Sequence, residues 1–381
     1  MNRIEELFKQ SKQAYVDCLN SRFPNLPAVL EGQLPVVIYG AGRMGQIFLA
    51  NLKKKGIAPL AFADSNSSLW GKRLAGLEIT NPEVIIKQYN PIAFLIASLL
   101  YESEIHAKLQ SLNADYLFPL GYLNLMHPDI FISPEYENEF EVLFDAANRQ
   151  DILNLNELWA DEESRRVFHN IIEFRLTLHK RLIHDVFLSE NVQYFESGII
   201  SVVPQEVFVD CGAFSGDTIL EFKKQAKDGF KKIFAFEPDP KNMRNLKQMI
   251  EAKEQDRIMP VSAGVYSTSR TIRFMAEGTL DSRISGAQGA DAVEVFSLDD
   301  YFRDKETPTF IKMDIEGAEE EALLGARGII QRCAPKLAIS VYHRAADLWR
   351  LPLLMKKLNK NYRLYLRHYS REIVDTVCYG V

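Results

Sequence analysis

The chain has 381 residues, 47% apolar and 25% charged, and a net charge of −6. That length holds two or three domains of about 100–200 residues, and the composition is that of an ordinary globular protein. An acidic balance argues against nucleic acid as a partner, which would call for a basic surface.

Cys18, Cys211, Cys333 and Cys378 are scattered, with no CxxC pair and no histidine at zinc spacing, so reduced cysteines and no metal are expected. The first residues, MNRIEELFKQSKQAYVDCL, carry charges throughout and lack the apolar stretch of a signal peptide. The longest largely apolar run, PIAFLIASLL at 91–100, is too short to span a bilayer. A cytoplasmic protein without a membrane partner is expected, and a homodimer is compatible with everything in the sequence.

Residues 1–20 read as an amphipathic helix, and FPNLP at 23–27 as a break. PVVIYGAGRMGQIFLANLKKKG then reads as strand, glycine-rich turn and helix. APLAFAD and PIAFLIAS are strands, ESEIHAKLQSL is a helix, and ADYLFPLG is a short strand and turn. This alternation predicts a parallel sheet covered on both faces, in a domain spanning 1–130. Residues 131–195 have apolar residues at helical spacing and no strand signal, which predicts a helical connector.

From 196 onward the alternation returns. EVFVDCG, KKIFAFE, RIMPVSAGVYS, RTIRFMAE, AVEVFS, TFIKMD and KLAISVYH read as strands, with helices between several of them. YRLYLRHY and EIVDTVCYGV close the chain as an antiparallel hairpin. The fold class expected is α/β, with two Rossmann-like domains.

The first glycine-rich turn, GAGRMG, spans Gly40, Gly42, Arg43, Met44 and Gly45, and Asp64 ends the next strand 19 positions later. Such a turn allows close approach of a phosphate to a helix N-terminus, while the acid takes ribose hydroxyls. The alternative is a tight turn without a ligand. The stretch FADSNSSLWGKRLAGLEITNPE at 62–83 resembles the nucleotide-sugar-binding domain of bacterial sugar acyltransferases. That resemblance implies a nucleotide or nucleotide-sugar ligand.

The second turn, VFVDCGAFSGDT, differs because its acid, Asp210, lies inside the motif. That charge repels a pyrophosphate and suits an ammonium or sulfonium. Glu237 ends the next strand and is placed to accept two ribose hydroxyls. Together they suit S-adenosylmethionine.

VFVDCGAFSGDT, IFAFEPDP, FSLDDYF, IKMDIEGAEEEALLGA and LAISVYH, in that order, resemble the FkbM family of class I S-adenosylmethionine-dependent methyltransferases. The resemblance covers about residues 195–381. It implies methyl transfer to a hydroxyl of a sugar, glycan or natural product. Asp210 and Gly212 would then line the methionine end and Glu237 the ribose, with Phe214, Gly216 and Thr218 also among the cofactor-binding residues. Pro238, Asp239, Ser262 and Ala263 would lie around the adenine.

Class I geometry also places Asp314, Glu316 and His343 on one rim, with His343 or Asp314 as general base for the hydroxyl. Ser282, Arg283, Tyr342 and Asp347 are candidate substrate contacts, with Arg344 beside them. His368 with Arg367 is a weaker base candidate. Glu319, Glu320 and Glu321 need only the helix dipole. No third acidic ligand is evident for a metal. The rival functions are a nicotinamide-dependent oxidoreductase using the first turn and a non-catalytic nucleotide-binding protein.

Overall fold

The computed structural model describes residues 3–131, 138–188, 193–227, 229–250, 254, 256–275, 283–284 and 291–381, without side chains for 273–275, 283–284 and 291. The chain forms two compact units. One comprises Met1–Arg149 and His169–Asp185, the other Gln150–Phe168 and Val186–Val381. The stretch 131–195 is thus divided between them.

The N-terminal unit is built on β1 (Val36–Tyr39), β2 (Phe62–Ala63), β3 (Arg73–Leu74), β4 (Leu77–Thr80), β5 (Ala93–Ile96) and β6 (Tyr116–Phe118). They form one sheet in the order β3-β4-β2-β1-β5-β6. All pairs are parallel except β3–β4. β1 and β5 are wholly buried, as VVIY and AFLI predict for strands covered on both faces. FPNLP does not end the helical region. Leu26–Leu30 is a short helix, because Pro27 sits in its first turn, where a missing N–H costs nothing.

In the C-terminal unit, β7 (Val207–Cys211), β8 (Lys232–Phe236) and β9 (Ile258–Val261) are followed by β10 (Gly264–Val265), β11 (Arg270–Met275), β12 (Arg283–Ile284) and β13 (Asp291–Phe296). β14 (Phe310–Met313), β15 (Lys336–Ser340), β16 (Leu364–His368) and β17 (Thr376–Gly380) complete it. The main sheet has seven strands in the order β16-β17-β15-β14-β7-β8-β9. β17 runs antiparallel to both neighbours, as the terminal hairpin predicts. RIMPVSAGVYS is not one strand. It splits at Ser262–Ala263 between β9 and β10, and β10 joins a separate sheet in the order β10-β13-β11-β12.

An aromatic cluster anchors the main sheet. Phe208 of β7 stacks on Phe222 at 4.4 Å and meets Phe310 of β14 at 5.0 Å, with Phe195 edge-on to Phe310. The cluster fixes the adjacent strands β7 and β14, which carry the site described next.

Candidate active site

The chain leaves β7 toward β8 and β9 on one side, while β14 and β15 lie on the other. Strand order therefore reverses between β7 and β14, and in open α/β sheets ligands bind in the crevice at such a point. The loop after β7 is sharply bent, with Gly212, Phe214 and Gly216 at φ +83°, +46° and +96°. A Cβ built on Gly212 would lie 1.9 Å from the Asp314 carbonyl oxygen, so only glycine fits. The helix Asp217–Ala226 follows, with Thr218 buried in its first turn.

Glu237 stands at the end of β8 and is pinned to this loop. Its Oε2 accepts the Phe214 N–H at 2.9 Å and its Oε1 the Asp239 N–H at 2.8 Å. Burial pushes its carboxyl up to about 7 against these bonds. Pro238 is half-buried beside it. The Asp239 Oδ1 caps the helix Pro240–Met249, accepting the Lys241 and Asn242 N–H groups. Ser262 is exposed and Ala263 buried just beyond β9.

Asp210 does not face the crevice. It is the register partner of Lys312 on β14, it is fully buried, and Lys312 Nζ lies 3.0 Å from its Oδ1. Lys312 also donates to the Gly212 carbonyl at 2.8 Å and sits 5.2 Å from the Tyr194 ring centre. Burial pushes the Asp210 carboxyl up to about 6 against the pull of Lys312. The acid inside the motif is therefore neutralised by the chain itself and braces the loop from beneath.

Asp314, Glu316 and His343 do converge. His343 Nε2 lies 3.3 Å from Asp314 Oδ1 and 3.6 Å from Glu316 Oε2. Parallel pairing of β14 with β15 makes this possible, since both chain segments leave the sheet at the same rim. Glu316 has φ +55° and Gly317 φ +91°, a strained turn that aims the Glu316 side chain back at the rim.

Glu319 is the residue that sequence reasoning misplaced. It is buried, its Oε1 accepts the Ile315 N–H at 2.8 Å, and it stands 3.0 Å from His343 Nδ1. Both imidazole nitrogens thus face carboxylates. Burial alone would lower the His343 pKa, but Glu319, Asp314 and Glu316 raise it to about 10. The Asp314 carboxyl is pushed up by burial but held below its ordinary value by His343 and Lys312.

Two tyrosines complete the rim. Tyr194, 120 residues away in sequence, donates its hydroxyl to Asp314 Oδ2 at 2.7 Å. Tyr342 donates to Asp314 Oδ1 at 3.3 Å. Tyr194 had no sequence signal. Tyr342 was expected as a substrate contact and instead touches the acid. Asp347 is buried and its Oδ2 accepts the Arg344 N–H at 3.0 Å, closing a turn. Burial, then Glu319, pushes it up to about 7.

His368 is fully buried in β16 with Nδ1 2.8 Å from Thr376 Oγ1, and Arg367 pairs with Asp161 at 2.7 Å, so both hold the hairpin and neither reaches the rim. Ser282 lies outside the described residues, as does the side chain of Arg283.

In the N-terminal unit, Gly40 has φ +110°, and a Cβ on it would lie 3.1 Å from the Ala97 carbonyl oxygen. A Cβ on Gly45 would meet Gly40 O at 2.0 Å, whereas nothing lies within 4 Å of one on Gly42. Arg43 and Met44 open the helix Arg43–Lys54 and are half-buried. Asp64 accepts Ala41 N at 2.9 Å and Asn66 N at 2.8 Å.

Residues 210–372 match the family model described as the methyltransferase FkbM domain. That match lies within the C-terminal unit. Residues 33–116 match the model described as C2185-like, N-terminal. The fold resembles the crystal structure of methyltransferase FkbM from Methylobacillus flagellatus KT, with 21% identity, 97% of this chain and 98% of that chain covered, and a TM-score of 0.75. An rRNA methylase from Streptococcus thermophilus matches with 14% identity, 47% of this chain and 87% of that one covered, and a TM-score of 0.30. UDP-D-quinovosamine 4-dehydrogenase from Vibrio fischeri matches with 29% identity, 23% of this chain and 78% of that one covered, and a TM-score of 0.20. No curated protein matches the sequence. Among the described residues, no helix is long and apolar enough to cross a membrane.

Proposed function

We propose that this methyltransferase uses S-adenosylmethionine and methylates a hydroxyl oxygen on a sugar, glycan or natural product, acting in the cytoplasm on a small-molecule or glycan acceptor. The observation that carries the cofactor is Glu237. Its carboxylate ends β8 beside the bent loop, held there by the Phe214 and Asp239 N–H groups and by the Asn242 side chain. An unphosphorylated ribose suits such a carboxylate, and Lys312 beneath the loop is already committed to Asp210.

Glu237 would accept the ribose hydroxyls, the main chain of Gly212–Gly216 would hold the amino-acid end, and Ser262 and Ala263 would flank the base. When bound, the cofactor supplies a methyl group on a sulfonium, already a good leaving group. The protein's share is then mainly to hold the acceptor in line, where positioning supplies much of the rate. An imidazolium with a carboxylate at each nitrogen has no lone pair to receive a proton, so His343 is a poor base in this arrangement. Asp314 remains to receive the acceptor proton, with the low basicity that its neighbours impose.

Open space at Gly42 and the acid Asp64 support a nucleotide or nucleotide-sugar ligand in the N-terminal unit. The second glycine of such a turn is the one that admits a phosphate.

Titration calorimetry tests the cofactor. S-adenosylhomocysteine should bind saturably and Glu237→Ala should lose it. Tight NAD binding with no affinity for S-adenosylhomocysteine overturns the proposal. Mass spectrometry of an extract supplied with labelled methyl donor tests the acceptor, and label on nitrogen or carbon would exclude O-methylation.

A further inference from the structure

We propose that His343, Asp314 and Glu316 form a binding site for a divalent first-row metal cation, with Glu319 orienting the imidazole from behind. One ligand atom each from Asp314, Glu319 and His343 already lies within 4.8 Å of the other two. Both ring nitrogens of His343 stand near carboxylates without a hydrogen bond, and they differ in which carboxylates they face. Nδ1 faces Glu319 at 3.0 Å, and Glu319 is itself fixed by the Ile315 N–H. That is the carboxylate–histidine pairing that sets the tautomer of a metal-bound imidazole and leaves the other nitrogen for the ion.

Nε2 points into the rim. The side chain is only 8% exposed, yet Nε2 has no hydrogen-bond partner, although Asp314 Oδ1 and Glu316 Oε2 stand 3.3 and 3.6 Å away. Those contacts are ion pairs that make no hydrogen bond. Their lengths are near the about 3.0–3.4 Å between neighbouring ligands of an ion with bonds of about 2.1 Å. Asp314 is prepared in the same way, because Tyr194 holds its Oδ2 and Tyr342 reaches Oδ1 only at 3.3 Å. Glu319 Oε2 is also buried without a partner. Three carboxylates around one imidazole leave negative charge that a divalent cation offsets better than a single proton. A mixed nitrogen and oxygen set suits manganese or zinc.

The ion also resolves the proton problem at this rim. A hydroxyl bound to a divalent cation is more acidic. Its O–H bond breaks with the electron pair staying on oxygen, and the proton passes to water at the open edge. His343 would ligate through Nε2 as the neutral ring, its Nε2 proton leaving to water as the ion binds, and so would not act as the base.

The inference rests on the rim side chains and is independent of the cofactor, because binding is measured without it. Metal-stripped full-length protein is titrated with Mn2+, free ion being followed by electron paramagnetic resonance, and with Zn2+ by calorimetry. One ion per chain is expected. Asp314→Asn and His343→Gln should each abolish binding, and Glu319→Gln should weaken it by about 10–100-fold. Failure of wild-type protein to bind either ion overturns the proposal, as does wild-type affinity in a folded His343→Gln protein. If circular dichroism shows that His343→Gln is unfolded, the near-isosteric Asp314→Asn decides, and unchanged affinity there equally overturns it.

Discussion

The two glycine-rich turns of this chain are built alike and equipped differently. In each, an acid at the end of the second strand accepts an N–H from the loop: Asp64 from Ala41 at 2.9 Å, Glu237 from Phe214 at 2.9 Å. What differs is the strand across the crevice. Beside the first turn, β5 and the residues after it, AFLIASLLY, bring no charge. Beside the second, β14 brings Lys312 and Asp314, and β15 leads to His343. The turns are alike, and the charge on the neighbouring strand end is what sets them apart.

The sharpest way to break this comparison is to remove Lys312. Lys312→Met leaves Asp210 buried and uncompensated, and denaturant unfolding should show a loss of about 3–5 kcal/mol. Asp64→Asn in the first turn, which lacks such a pair, should cost about 1 kcal/mol. Equal losses would mean that the buried ion pair does not brace the second turn.

The glycines give the next largest difference. Gly212→Ala forces a Cβ into the Asp314 carbonyl at positive φ and should destabilise by about 2–4 kcal/mol. Gly42→Ala, with φ −81° and open space, should stay within about 1 kcal/mol of wild type. Thermal melts of both variants check the pair.

In calorimetry, Glu237→Ala should lose S-adenosylhomocysteine by about 100-fold or more, since two charge-assisted hydrogen bonds go, while Asp64→Ala should leave that affinity unchanged. A comparable loss in Asp64→Ala would put the adenosyl ligand in the wrong unit.

The smallest effect is in pH. The Glu237 carboxyl is raised from 4.5 to about 7, so ionising it opposes folding increasingly as pH climbs through that window. A ligand that needs the anion binds more tightly as pH rises. S-adenosylhomocysteine affinity should fall about tenfold from pH 8 to pH 6, and Glu237→Gln should flatten the profile. A flat wild-type profile would remove Glu237 from the ribose.

Much of this arrangement is legible in the chain because strand and helix periods differ and glycines punctuate them. β7, β8, β14 and β15 carry their carboxyl-end acids and His343 in short local motifs. What escapes is whatever depends on register between distant segments. Lys312 faces Asp210 only because β14 pairs with β7 in one register. Glu319 looks like a solvated helix-start acid until its turn packs behind His343. Tyr194 reaches Asp314 across 120 residues from a stretch with no motif. The separate sheet of β10 to β13 is invisible for a related reason, since strand periodicity does not say which sheet a strand joins.

Gly212 belongs to both halves of the crevice. Its carbonyl is held by Lys312 and its α-carbon rests against the backbone of Asp314, with no room for a single added carbon. A ligand that shifts this loop also shifts the strand end bearing Asp314. Were the loop and the rim each to hold a ligand, the two occupancies would be linked equilibria. Whatever factor the first ligand applies to the affinity of the second, the second returns to the first. One glycine would then join two binding equilibria into a single thermodynamic system.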